Sequence, residues 1–347
     1  MKTSARAISA LITAFVAIAL ILWGTHSFNT HRYAIDTPDP THRAGIIREY
    51  GGSPVDGDYL RGIHYSAHGT PHPGAVIIFG GRDGVTDPHR ARHLQDQGYD
   101  VLSLYYFGQP GLSTIPLDFF DEALTWMTDH QLADGPLTVL GSSKGAELTA
   151  NLAARYPEID HIVLYSPSEY TYAGAQYDNR AQSSSYTWHG TPVPFAPYTT
   201  SWGTYAPMMV RTTLGLPVSH RARYEEAASA AASRALNIAT PLNRQAATGP
   251  TAASRIDLTH FAGDGLLFAR DMDAAWPSDT AAHALSRDNP RLETIIFDSA
   301  GHHFHENISE LGLGWKTTLG GTVNGNRLAK QESDLILTDR LARWHDR

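Results

Sequence analysis

The chain has 347 residues, of which 42% are hydrophobic and 18% charged, and its formal net charge is −8. This length and balance suit one large or two ordinary domains around a substantial core, and they exclude a disordered or fibrous chain. The absence of cysteine excludes disulfides, thiolate metal sites and a cysteine nucleophile, while mild acidity without a Lys/Arg block in the body of the chain leaves no footprint for nucleic acid.

At the amino terminus, Lys2 and Arg6 precede an uncharged apolar run over residues 7–23, just long enough to cross a bilayer. Trp23 stands where an interfacial aromatic belongs, and the basic flank favours an N-terminus in the cytoplasm with the rest of the chain outside. A small-x-small cleavage site after the run is poor. An uncleaved anchor is therefore the favoured reading of residues 1–28, with a cleaved signal and secretion, or a buried core helix, as alternatives. Residues 29–44, polar and carrying Pro38 and Pro40, read as a tether to a domain over 45–347.

That domain opens with two expected strands, 45–50 and 59–65, joined by the turn-rich stretch 51–58. Residues 74–79 are continuously apolar, as in a strand buried on both faces, and end in Gly80-Gly81-Arg82-Asp83-Gly84. Such a loop either brings a backbone N–H to a reacting carbonyl oxygen or is a plain turn into the next helix. Gly-x-Gly-x-x-Gly spacing is absent, which disfavours a dinucleotide site. A helix over 88–97, a strand over 100–106 and an amphipathic helix over 116–130 follow, the last with Leu117, Phe120, Leu124 and Met127 on one face. Strict strand-helix alternation means an α/β fold with a mostly parallel sheet covered by helices on both faces.

The stretch Leu137-Thr138-Val139-Leu140 then turns through Gly141-Ser142-Ser143-Lys144-Gly145 into the helical composition of 146–154. A serine in a tight strand-to-helix turn needs small residues two before and two after it, so Gly-x-Ser-x-Gly here has the layout of a nucleophile elbow. Ser143 is the candidate nucleophile.

Another buried strand is expected over 162–166, with its carboxyl end beside Ser143. Alternation stops over 169–253, a Tyr-, Thr-, Pro- and Ala-rich insertion with one helix-like segment at 221–236, read as an excursion or cap over the active end of the sheet. It resumes with an apolar strand from Gly265 that runs into the acidic loop of Asp271 and Asp273. A final strand over 292–297 runs into Asp298-Ser299-Ala300-Gly301-His302-His303. The order Ser, Asp, His is that of α/β-hydrolases. Asp264 precedes its strand and so falls at the wrong end of the sheet, leaving Asp271 and Asp273 as acids and His302, His303 and His305 as bases. The 18 histidines form no His-Glu-x-x-His pattern, and neither a metal nor a cofactor is expected.

These residues resemble the catalytic domain shared by acyl-CoA thioesterases and bile acid-CoA:amino acid N-acyltransferases. The resemblance rests on 115–123 with Gly141 to Leu148, on Tyr186-Thr187-Trp188-His189-Gly190-Thr191-Pro192, on Asp271-Met272-Asp273 with Trp276-Pro277-Ser278, and on Ala300-Gly301-His302. It implies Ser143, Asp273 and His302 as the triad, since His302 directly follows Gly301 and Asp273 lies three residues ahead of Trp276. It further implies an oxyanion hole from the backbone N–H of Lys144 and one from Gly81 or Arg82, with the choice between those two open. Hydrolytic members use serine and the amino acid acyltransferases cysteine, so hydrolysis of an acyl thioester is implied here. The chain departs from the family pattern in lacking room for an amino-terminal β-sandwich over 29–72 and in carrying Arg270 where a glycine is usual.

The expected protein is a membrane-anchored serine hydrolase for small acyl thioesters or esters, with its domain outside the cytoplasm. That location fits poorly with acyl-CoA, so an esterase or lipase-like enzyme without CoA specificity is the enzymatic alternative. A non-catalytic binding protein on a hydrolase scaffold is the alternative of another class. Oligomeric state is not legible in the sequence.

Overall fold

The computed structural model describes residues 2–35, 43–81, 84–107, 112–174, 182–198, 200–238 and 253–346, the side chains of 2–7 and 234–238 excepted. Arg82 therefore lies outside the described residues.

Helix α1 (Lys2–Arg32) carries the apolar run and continues past it. Residues 45–50, expected as a strand, instead lie in helix α2 (Arg43–Tyr50). The alternation a strand needs is broken there by Arg48, whereas Ile46, Ile47 and Tyr50 share one helical face and pack on the core beside the sheet. The first hairpin is formed further on, by β1 (Ser53–Asp56) inside the expected turn and β2 (Arg61–Tyr65), paired antiparallel from Ser53↔His64 to Asp56↔Arg61. Pro54 is tolerated because β1 is an edge strand.

Then come β3 (Ala75–Phe79), α3 (Pro88–Asp96), β4 (Asp100–Leu104), the short β5 (Ile115–Pro116), α4 (Phe119–Asp129), β6 (Leu137–Ser142), α5 (Lys144–Ala153) and β7 (His161–Tyr165). Helix α3 begins at proline, which suits a first helical turn, and Asp87 caps it by accepting from Arg90 N at 3.1 Å. The insertion contributes β8 (Tyr186–Trp188), β9 (Thr191–Pro192), α6 (Trp202–Thr213) and α7 (Arg221–Ile238). Strand β10 (Asp264–Arg270), α8 (Ser278–Asp288), β11 (Leu292–Phe297), the one-turn α9 (Trp315–Thr318) and α10 (Val323–His345) complete the chain.

Eight strands form one sheet in the order β1-β2-β4-β3-β6-β7-β10-β11, parallel from β4 to β11, with β2 antiparallel to its neighbours. Alternate strand residues feed two cores. Ile77, Phe79, Val139, Leu164 and Leu267 pack under α4, α5 and α8, while Val76, Ile78, Leu140, Val163 and Phe268 pack under α2, α3 and α10. The strand order reverses between β3 and β6, where the chain places two loops side by side at the carboxyl edge. This is an α/β-hydrolase fold. The insertion builds a small sheet, β5-β8-β9, and a third apolar cluster in which Tyr170, Tyr172, Ala227 and Ala231 pack against Trp276.

Candidate active site

Register fixes which loops meet. Phe79 pairs with Gly141, so the loop after β3 lies against the elbow after β6. Tyr165 pairs with both Ser142 and Phe268, and Arg270 pairs with Phe297, which brings the ends of β7, β10 and β11 alongside.

Ser143 has φ 56° and ψ −117°, the strained geometry that aims a nucleophile out of the turn. The flanking glycines are required. A Cβ on Gly141 would collide with the Gly145 carbonyl, and one on Gly145 with the Gly80 carbonyl. Gly81 lies beside the elbow, since a Cβ there would stand 4.0 Å from Ser143 Cβ. The Tyr106 hydroxyl donates to the carbonyls of Gly80 and Gly81, which fixes that loop. The backbone N–H of Lys144 opens α5 next to Ser143.

The structure brings together the three side chains singled out by sequence. His302 Nε2 is 2.8 Å from Ser143 Oγ, and His302 Nδ1 is 2.9 Å from Asp273 Oδ2. Asp273 is buried and also accepts from Ala275 N at 2.9 Å, Trp276 N at 3.1 Å and Ser278 Oγ at 2.7 Å. Burial acts to raise its pKa, but His302, Ser278 and Arg270 outweigh it and hold the carboxyl below the usual carboxylate value. Asp271 and His303 are exposed, and Asp264 stands at the opposite end of β10, 3.4 Å from Arg291.

A supporting layer carries no motif of its own. The Leu319 carbonyl accepts from His302 N at 2.6 Å and Ala274 N at 3.2 Å, tying the histidine and acid loops together. Ser166, at φ 52° after β7, donates its hydroxyl to the His302 carbonyl at 3.1 Å and accepts the Trp276 indole N–H on its own carbonyl at 3.1 Å. Arg270 Nη1 donates to Ser166 Oγ at 2.7 Å and to the His302 carbonyl. These contacts join residues far apart in the chain. The Trp276-Pro277-Ser278 segment signalled one of them, and Arg270 stood out as an arginine where a glycine is usual.

Lys144 folds its side chain back onto Glu147 at 2.5 Å, in a pocket closed to solvent by the helix and the insertion. Burial pushes the Lys144 ammonium down and the Glu147 carboxyl up, each effect partly offset by the other partner. A cleft of about 850 Å³ bounded by Asn151, Arg155, Thr171, Arg255 and Asp264 lies at the amino-terminal end of the sheet and includes none of Ser143, Asp273 and His302. Among the described residues no His/Asp/Glu cluster has the makings of a metal site.

Fold and site together define an α/β-hydrolase-fold protein with a serine-histidine-aspartate constellation at the carboxyl edge of its sheet. The fold is shared with the α/β hydrolase GrgF from Penicillium sp. sh18, at 15% identity and a TM-score of 0.50 over 85% of this chain and 99% of that one. The family described as BAAT / acyl-CoA thioester hydrolase C terminal matches residues 115–307, more than half of the chain. The chain belongs to that family. Among curated relatives, acyl-coenzyme A thioesterase 6 of Homo sapiens is 34% identical over 99 residues, covering 27% of this chain and 23% of that protein. Acyl-coenzyme A thioesterase 1 of Homo sapiens is 32% identical over 130 residues, 36% of this chain and 30% of that protein. The chain thus spans about a quarter to a third of the length of these relatives.

Proposed function

We propose that the protein is a serine hydrolase that cleaves acyl thioesters or carboxylic esters through an acyl-enzyme on Ser143. The observation that carries this reading is the continuous hydrogen-bonded line from Asp273 through His302 to Ser143 Oγ. His302 Nε2 takes the serine proton as Oγ attacks the acyl carbonyl, a contribution of roughly 10²–10⁴-fold for a well-placed base. Asp273 holds the tautomer with the proton on Nδ1 and stabilises the imidazolium that forms. The oxyanion is received by the Lys144 N–H and by a second donor from Gly81 or Arg82. His302 then protonates the departing thiolate or alkoxide, and water, activated by the same imidazole, releases the acid.

Thioester chemistry is favoured by the family, and serine rather than cysteine favours hydrolysis over transfer to an amino acid. A carboxylesterase or lipase-like activity without CoA specificity is the second reading, favoured by α1, whose apolar run from Ile8 is uncovered by protein. In this proposal residues 1–28 anchor the chain or direct its export, 29–44 tether it, and 45–347 form an extracytoplasmic catalytic unit with its insertion at 169–253. Labelling by a fluorophosphonate that disappears in Ser143→Ala is the expected result, whereas an inert wild type would favour a binding protein. Turnover of palmitoyl-CoA against p-nitrophenyl esters separates the two enzymatic readings.

A further inference from the structure

Among the described residues of the insertion, helix α6 has no buried side chain at any position, whereas α7 buries Ala227 and Ala231. Its inner side, which also holds the half-buried Met208, is secured by polar contacts. Ser201 and Thr204 bond the Glu226 carboxylate on α7 at 2.7 and 2.5 Å, and Arg211 Nε donates to the Pro217 carbonyl at 2.7 Å. Its outer face carries Trp202, Tyr205 and Met209 at i, i+3 and i+7, with Val210 beside them. Trp202 is 76% exposed and Val210 58%. An apolar stripe of this kind on a short surface helix requires a partner.

The position of α6 says what that partner is. Its carboxyl end is fastened to α1, where Asn29 Nδ2 donates to the Leu214 carbonyl at 2.8 Å and His26 Nδ1 lies 3.2 Å from the Thr213 carbonyl. Gly215 packs so closely on the His26 carbonyl that a Cβ would collide with it. Trp23, at the end of the bilayer-length run and 70% exposed, is one helical turn before His26. At about 1.5 Å per residue, α6 therefore meets α1 at the level where its lipid-compatible surface ends. No Asp or Glu lies in the sequence of α6 itself, and the Glu226 carboxylate that meets its first turn is engaged by Ser201 and Thr204.

We propose that α6 is an interfacial helix, lying in the headgroup region of the same bilayer that receives α1, with Trp202, Tyr205, Met209 and Val210 facing the acyl chains. The proposal rests on α1 being membrane-embedded and deepens the hydrolase reading. The segment after α6 grips the acid loop, through Ser219 Oγ to the Ala274 carbonyl at 2.7 Å and Arg221 Nη1 to the Asp273 carbonyl at 3.2 Å. Lipid contact at α6 thus presents the insertion, and the Ser143 site behind it, to amphipathic acyl substrates dissolved in the membrane.

The chain has no cysteine, so single cysteines at Tyr205, Met209 and Val210 can each carry a nitroxide without further engineering. Phe15 in α1 and Leu335 on the exposed side of α10 serve as references. The full-length chain is reconstituted in phosphatidylcholine/phosphatidylglycerol vesicles, and fluorophosphonate labelling verifies the fold of every variant. The expected result is collision with oxygen several-fold above collision with an aqueous nickel chelate at the α6 positions, and the reverse at Leu335. Water-like accessibility at all three α6 positions overturns the proposal, and so does dipolar broadening between copies, which would mean that a second chain covers the stripe. The Phe15 label reports separately. Lipid contact there with water contact at α6 rejects the interfacial helix and leaves the anchor, whereas water contact at Phe15 removes the premise and overturns the proposal whatever α6 shows.

Discussion

Arg270 donates from its guanidinium to the backbone carbonyl of His302, and it does so from complete burial at the end of β10. Its Nε and Nη2 find no hydrogen-bond partner among the described residues, and the guanidinium stacks on Phe304. Burial pushes its pKa well below the usual arginine value, with Asp273 opposing that shift. A buried cation so poorly compensated is weak evidence for stability, so its contribution is to the placement of the histidine loop. Arg270→Met is expected to leave the melting temperature unchanged or raised while kcat on a p-nitrophenyl ester falls by roughly 10–100-fold, the scale of a small displacement of a reacting group. An unchanged kcat would remove Arg270 from the positioning machinery.

Ser278 Oγ gives the Asp273 carboxylate a hydrogen bond at 2.7 Å on the oxygen that faces His302. Hydrogen bonds to charged groups contribute about 1.5–3 kcal/mol, part of which acts on ground and transition states alike. Ser278→Ala should therefore lower kcat by about tenfold with KM little changed, against about 10⁴-fold for Asp273→Asn, which upsets the imidazole tautomer. Equal losses in the two variants would mean that Ser278 is needed to build the loop rather than to orient its carboxylate.

Asp273 also makes a prediction about acid stability. Its carboxyl is held below the ordinary value of 3.8 in the folded state, so the unfolded chain binds the proton more readily. The resulting stabilisation is fully present above the unfolded value and is lost as pH falls through the lower folded one. Urea denaturation of wild type and Asp273→Asn should give a stability gap that narrows as pH falls below 3.8. A gap that widened on acidification would contradict the lowered value.

How much of this was readable before the structure depends on the range of the interactions. The buried strands were legible because continuous apolar runs such as Val76 to Phe79 have few other uses, and the elbow because its glycines answer a local steric demand. From these, α/β alternation followed. Residues 45–50 misled because a short stretch with two isoleucines fits either period, and only packing on the sheet selects the helix. Helix α6 was hidden by Pro207 within it and by an apolar stripe that the described residues leave exposed. Arg270 stood out only as a departure from the family pattern, and Leu319 gave no signal. An arginine at a strand end ordinarily reads as solvent-facing, and a carbonyl that joins two loops has no side-chain signature.

The Lys144–Glu147 pair, at 2.5 Å and shut away from solvent beside Ser143, separates structure from chemistry at the elbow. Burial disfavours both charges, lowering the lysine and raising the glutamate, and each partner is what chiefly opposes that shift in the other. Removing one partner strands the other, at a cost of about 3–5 kcal/mol, whereas replacing both by apolar groups of similar volume is close to neutral. Lys144→Met and Glu147→Leu alone should each lower the stability measured by urea denaturation by that amount, and the double variant should recover most of it. The backbone N–H at position 144 survives all three changes. The double variant should accordingly retain fluorophosphonate labelling of Ser143, and its loss in a folded double variant would show that the lysine side chain itself takes part in the reaction.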